Sequence, residues 1–176
     1  EEDLKKFFDL YEITAVRDKI GHRPYEYFKR MVDAYGSSDL LRIYIAEHEG
    51  EPLSGAICIH YGNKTWYIYG ASSNNKRNLM PNYAMQAEMI RWGFENGSKI
   101  YDFGGVFILD KTNGLYKFKE GFCRREGATE FIGEFDLVYN PLLYTGFAKV
   151  LPMVQRRRNR KHQQESVQPA PKQEKE

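Results

Sequence analysis

Three groups of residues in this chain combine types and spacing that can do chemistry: a lysine pair, an arginine–tyrosine pair, and an aspartate ahead of two glycines. In residues 114–123, GLYKFKEGFC, Lys117 and Lys119 stand either side of Phe118. Two readings are open. One is an ordinary amphipathic turn, with Phe118 in the core and solvated lysines. The other is a cationic site built for chemistry. Arg23 and Tyr27, in GHRPYEYF, are four apart and share one face of a helix start; a surface arginine beside a core tyrosine fits the same spacing. Asp102, in YDFGGV, either serves as a general base or caps the backbone donors of Gly104 and Gly105. The capping role is favoured, with the glycines allowing close approach of a substrate. His22, His48, His60 and His162 are scattered, and no Ser, Cys or His triad is apparent.

These residues need elements to hold them. Residues 3–17 place Leu4, Phe7, Phe8, Tyr11 and Ala15 on one helical stripe. Pro24 opens a second helix, with Phe28, Met31, Val32 and Tyr35 inward and Gly36 at its end. The period then changes from helical to alternating. LLRIYIAEHEG, LSGAICIHYG and TWYIYGAS read as an antiparallel meander, turning at EGEP and GNK, with Gly55 as a bulge or close approach. A long helix follows in NLMPNYAMQAEMIRWGFENG, with Ala84, Ala87, Glu88, Ile90, Arg91 and Phe94 sharing its faces. KIYDFGG is a strand and NGLYKFKEGF a short helix. ATEFIGEFDLVYN is a last strand alternating through Phe131, Gly133, Phe135 and Leu137, and a final helix starts at Pro141 and is disturbed by Pro152.

Composition bounds the rest. Apolar residues make up 41% of the 176 and aromatics 15%, enough for a core. No apolar run approaches the roughly 18 residues of a membrane span, and the acidic N-terminus has no signal-peptide pattern. Cys58 and Cys123 make no disulfide framework; Cys58 reads as a small buried residue, and a reduced, cytoplasmic compartment is expected. With Glu at position 1, the chain is expected to be a piece of something longer. The net charge of +2 divides unevenly. Residues 155–176 carry seven Lys or Arg against three Asp or Glu, whereas the rest carry 19 against 21. RRRNRK at 156–161 holds most of the excess, and the polar stretch from 162 to 176 is expected to be disordered.

The expected order, ααβββαβαβα, belongs to the α/β (α+β) class: a mixed, mostly antiparallel sheet flanked by helices, in the layout of the acetyltransferase-type N-acyltransferases. Coenzyme A enzymes of that type grip a pyrophosphate with a glycine-rich turn at the start of the long helix. The corresponding stretch here, SSNNKRNLMPN, has no glycine. Lys76 and Arg77 remain either as side-chain charges for a phosphate or as a solvated loop.

YGASSNNKRNLMPNYAMQAEMIRWGFENGSKIYDFGGV, NGLYKFKEGFC and GEFDLVYNPLLY, in this order and spacing, resemble the second acetyltransferase-like domain of the Fem peptidoglycan aminoacyltransferases. The resemblance runs from about Phe7 to about Arg160. It implies transfer of an amino acid from aminoacyl-tRNA to the stem-peptide amine of a peptidoglycan precursor, forming the interpeptide bridge, with no metal or bound cofactor. The precursor is UDP-MurNAc-pentapeptide or its lipid-linked form. By the same resemblance Lys119 lies near the acceptor and transferred group, and Phe118 positions the peptide. Arg23, Tyr27 and Tyr69 contact the precursor, Arg23 through the bidentate fork that suits a diphosphate. Asp102, Gly104 and Gly105 line the substrate side.

The expected domains are 1–139 as the acetyltransferase-like domain, 140–161 as a helix returning to a first Fem domain that this chain does not include, and 162–176 as tail. Arg156 to Lys161 is a candidate contact for tRNA or for the anionic inner face of the membrane. Two other readings stay open, a coenzyme A-dependent N-acetyltransferase and a non-catalytic fragment that binds precursor or tRNA.

Overall fold

A computed structural model describes residues 1–165 except 22, 37, 107, 124, 126 and 134, with the side chains of 155–165 also outside the description. The chain forms two units, Glu1–Ala128 and Thr129–Glu176. Unit one contains α1 (Glu2–Asp18), α2 (Tyr25–Tyr35), β1 (Leu41–His48), β2 (Glu51–Tyr61), β3 (Lys64–Ser72), a 3-10 turn (Arg77–Leu79), α3 (Pro81–Glu95), β4 (Ile100–Asp102) and α4 (Gly114–Glu120). The sheet order is β1-β2-β3-β4, antiparallel except that β4 runs parallel to β3.

Alternation along β2 divides the core. Ile57 faces α1 and α2 with Leu4, Phe7, Leu10, Tyr11 and Phe28, whereas Ala56 and Cys58 face α3 with Met85, Met89 and Trp92. The first cluster is aromatic: Phe28 meets Phe7 at 5.4 Å and Tyr11 at 4.9 Å, both edge to face. Gly55 is a close approach, not a bulge. A Cβ there would stand 3.2 Å from both Phe7 and Ile45, so the missing side chain seats α1 on the sheet. The bulges lie elsewhere, at Ala46/Glu47 and opposite Ile57/Cys58.

The second bulge decides which way β3 points its tyrosines. Ile57 pairs with Tyr69 but Cys58 pairs with Tyr67, so Ile68 is the extra residue. Tyr69 therefore packs with the α1/α2 cluster and Tyr67 with the α3 cluster, although two residues apart they would share a face in a regular strand.

Unit two differs from expectation. Among the described residues of 128–140 there is no strand. A strand is stable only as part of a ladder, and this segment has no described ladder partner. Phe131, Phe135 and Leu137, through which it was expected to alternate, are each at least 80% exposed. Asn140 then caps the last helix, α5 (Pro141–Glu165), its Oδ1 accepting from the amides of Leu142 and Leu143 at 3.1 Å. The helix continues through Pro152 and past residue 161, so residues 162–165, expected in the tail, are helical; 166–176 lie outside the described residues. No helix among the described residues is long and apolar enough to cross a membrane.

Candidate functional site

The loop that leaves β4 is shaped by its own aspartate. Asp102 Oδ1 accepts from Gly104 N at 2.8 Å, and Oδ2 pairs with Lys64 Nζ at 2.6 Å. Gly104 takes a φ of +73°, which favours glycine. Burial pushes the Asp102 carboxyl up, but Lys64 and the Gly104 amide outweigh it and hold the group below the usual carboxylate range.

α4 brings Lys119 to this loop. Asn113 caps that helix, its Oδ1 accepting from Tyr116 N at 3.0 Å. One turn later Lys119 Nζ donates to the carbonyls of Gly105 at 2.9 Å and Gly104 at 3.2 Å. Burial lowers the Lys119 ammonium pKa, while the Asp102 carboxylate pulls the other way. Lys117 is exposed. The structure thus gathers Lys119, Asp102, Gly104 and Gly105 around one loop.

Phe118 serves two surfaces. It packs edge to face on Tyr83 at 4.9 Å and on Phe122 at 5.5 Å, tying α4 to α3. It also lines a cavity of about 590 Å³ with Arg17, Tyr67, Gly70, Arg77 and Asn82. α1 fixes the opposite rim: Thr14 Oγ1 accepts from Ser72 N at 2.9 Å, and Arg17 donates to Ser72 O at 3.0 Å. A more open groove of about 740 Å³ between α1 and α2 holds none of the expected site residues; Lys5 there is ion-paired with Asp9.

Arg23, Tyr27 and Tyr69 form a separate cluster on the α1/α2 side. The Arg23 guanidinium sits 4.7 Å from the centre of the Tyr27 ring, and the Tyr27 and Tyr69 hydroxyls are 2.9 Å apart. Burial, with the Tyr27 hydroxyl next, pushes Tyr69 up to about 12.

Of the loop cations, Lys76 is committed to ion pairs with Glu51 at 3.1 Å and Glu49 at 3.3 Å, while Arg77 reaches the cavity. Lys76 and Met80 both adopt left-handed backbone, at φ 45° and 51°, so this turn is made without the glycines such a conformation favours. His60 Nδ1 bonds Ser98 Oγ at 2.8 Å beside Thr65, and no carboxylate among the described residues completes a triad. His22 lies outside the described residues.

Sequence reasoning missed Tyr67, Gly70 and Gln86. A Cβ on Gly70 would fall 1.6 Å from Tyr67 Oη, so the Tyr67 ring folds back along its own strand over Gly70. Gly70→Ala is expected to displace that ring and destabilise the chain by about 1–3 kcal/mol, the range for overpacking a filled site. Thermal unfolding checks this, and an unchanged midpoint would show that Tyr67 is free to move. The one sequence signal was a glycine inside an aromatic strand.

Similarity searches place these features in a family. The FemAB family model matches residues 43–151. A UDP-N-acetylmuramoylpentapeptide-lysine N(6)-alanyltransferase of Weissella viridescens is 40% identical over 147 residues, covering 84% of this chain and 43% of its own. A lipid II:glycine glycyltransferase of Staphylococcus epidermidis is 44% identical over 119 residues, covering 65% of this chain and 28% of its own. The chain therefore spans less than half the length of these relatives. Among solved structures, FemX superposes with a TM-score of 0.58 at 24% identity, over 68% of this chain and 46% of that one. An aminoglycoside N-acetyltransferase in complex with CoA superposes at 0.57 and 16% identity, over 78% of this chain and 90% of that one. The acetyltransferase-type fold is shared with both, and the match across the meander, α3, the Asp102 loop, α4 and the start of α5 makes this chain a member of the FemAB family.

Proposed function

We propose that this chain is the acyl-transfer domain of an aminoacyltransferase that moves an amino acid from aminoacyl-tRNA to the stem-peptide amine of a peptidoglycan precursor. The observation that carries the proposal is Lys119: a half-buried ammonium anchored on two loop carbonyls, next to Phe118 at a cavity wall. The reaction joins the amine nitrogen to the ester carbonyl carbon. The ester C–O bond breaks, the ribose hydroxyl leaves, and the amine's proton ends on that oxygen. The amine must be neutral to attack, and charge grows on the carbonyl oxygen. A cation fixed beside the reacting groups serves both needs. No covalent enzyme intermediate is required.

Arg23, Tyr27 and Tyr69 are assigned to the precursor, the guanidinium to its diphosphate. The chain is assigned to the cytoplasm, or to the inner membrane face if the acceptor is lipid-linked. The coenzyme A reading is disfavoured because Lys76 is spent on Glu49 and Glu51 and the turn has no glycine. Transfer of a labelled amino acid from aminoacyl-tRNA to UDP-MurNAc-pentapeptide by the complete protein tests the proposal. Acetyl-CoA binding with no such transfer would replace it, and precursor binding without turnover would make the chain a holding module.

Asp102 is assigned to loop shape. Asp102→Asn keeps an oxygen for Gly104 N and removes the charge, so turnover should stay within about threefold, whereas losing a general base lowers rates by roughly 10²–10⁴. A loss of that size in a steady-state assay would make Asp102 the base.

A further inference from the structure

We propose that the open edge of β3 binds the stem peptide of the precursor as an added strand, hydrogen-bonded to the backbone of Gly70; the assignment rests on the aminoacyl-transfer reading above. β3 runs to Ser72, but its parallel partner β4 pairs only with Lys64, Thr65 and Trp66. Beyond Trp66 that edge has no strand partner among the described residues. In an antiparallel ladder, alternate residues turn their N–H and C=O towards the paired strand and the others turn theirs away. Ser73 N donates to Leu53 O at 2.9 Å, which puts the backbone groups of Ser73, Ala71 and Tyr69 on the β2 side. Those of Ser72 face the open side, where Thr14 Oγ1 accepts from its N–H and Arg17 donates to its C=O. Gly70 has the same parity as Ser72, so its N–H and C=O face the open side too. No hydrogen bond from a described residue reaches them there. Half-buried backbone groups left unpaired along a strand are a template for another strand.

The surroundings of the edge select a peptide. Gly70 lines the 590 Å³ cavity, and the charges there nearly cancel: Arg17 is ion-paired with Asp18, which leaves Arg77 as the cation without a partner among the described residues. One exposed cation is a poor match for a run of phosphates, which calls for a cation at each. Asn75, Asn82 and Asn113 line the cavity with amide groups, the same chemistry as a peptide backbone, and Phe118 packed on Tyr83 gives an apolar wall for a side chain. An added strand draws affinity from main-chain bonds and specificity from pockets for alternate side chains. The edge also leads to the reacting groups. A Cβ on Gly104 would stand 3.6 Å from Tyr67 O and 3.8 Å from Lys119 Nζ, so the β3 backbone and the ammonium reach one small space that Gly104 leaves open. Gly70 and Tyr67 are three residues apart, about 10 Å of extended chain. A stem peptide paired at Gly70 and continuing along β3 therefore carries its amine towards Lys119.

Amide hydrogen exchange in the complete protein reads the contact directly. Without substrate, the Gly70 amide should exchange fast, while those of Tyr69, Ala71 and Ser72 are slow. UDP-MurNAc-pentapeptide, or its lipid-linked form in micelles, should slow Gly70 by about tenfold or more, and UDP-MurNAc without the peptide should not. Replacing successive stem-peptide amides by esters then removes one donor at a time at constant chain length. The KM for the acceptor should rise by about threefold to tenfold at alternate bonds, as for one lost hydrogen bond, and stay within about twofold at the bonds between. The KM for aminoacyl-tRNA should not move. A Gly70 amide left fast by both precursors, or ester effects without alternation, overturns the inference and leaves the aminoacyl-transfer reading standing. Protection of Gly70 by aminoacyl-tRNA and not by precursor also overturns it and gives the edge to the donor. Protection by precursor with no transfer by the complete protein upholds the peptide edge and sinks the aminoacyl-transfer reading.

Discussion

Lys119→Met in the complete protein is expected to lower turnover by about two orders of magnitude, the loss that follows removal of one charge-stabilising donor. The side chain is half-buried and aimed: its ammonium donates to two adjacent carbonyls of the Asp102 loop, at 2.9 and 3.2 Å. Met keeps the stem length and the packing of α4, so the fold should survive and the melting temperature should move little. The pH dependence gives a second readout. Burial lowers the Lys119 pKa, so the cation is lost on the alkaline side earlier than for a free lysine, and activity falls there. The variant has no cation to lose, so that alkaline limb should be missing from its profile. Steady-state rates with aminoacyl-tRNA and precursor decide the matter: activity within about twofold of the parent protein would remove Lys119 from the chemistry.

The frame around this lysine was legible because it follows hydrophobic period. Leu4, Phe7, Tyr11 and Ala15 recur at helical spacing and are buried, and the alternation through Ile43, Ile57 and Tyr69 marks the meander. α3 shows where period fails. Its buried stripe is Met85, Gln86, Met89, Trp92 and Gly93, whereas the sequence reading named Ala84, Ala87, Glu88, Ile90, Arg91 and Phe94. A glutamine and a glycine belong to that stripe, and neither carries an apolar signal. Gly93 is there because α3 crosses β3 closely: a Cβ would stand 2.7 Å from Thr65 Oγ1.

The segment 128–140 fails for a different reason. Alternation records which side chains prefer to be covered, but a ladder also needs a partner strand, and no local pattern supplies one. In the site, residue types were readable and partners were not. Nothing in the spacing of Gly104 and Lys119 joins them across a loop and a helix, and a bulge of one residue hid Tyr67 by reversing its face.

Arg23→Ala should weaken precursor binding rather than slow the chemical step. Arg23 precedes α2 and is exposed, with its guanidinium laid over the Tyr27 ring and no carboxylate partner among the described residues. The ring orients the planar group, and the Tyr27–Tyr69 hydroxyl pair fixes the ring against β3. An arginine held this way keeps its forked donors available for a diphosphate. Losing a hydrogen-bonded charge contact costs about 1.5–3 kcal/mol, which converts to a rise of roughly tenfold to a hundredfold in KM. Its proposed partner, the precursor diphosphate, is remote from the reacting amine, so the contact should count equally in ground and transition states and kcat should change little. Folding should be nearly untouched, because an exposed cation over an aromatic ring contributes only about 0.5–1 kcal/mol. Tyr27→Phe is the internal control. It keeps the ring under Arg23 but removes the bond to Tyr69, so its effect on KM should be smaller. A fall in kcat at unchanged KM for Arg23→Ala would move this arginine next to the reacting groups and break the division of labour between the two clusters.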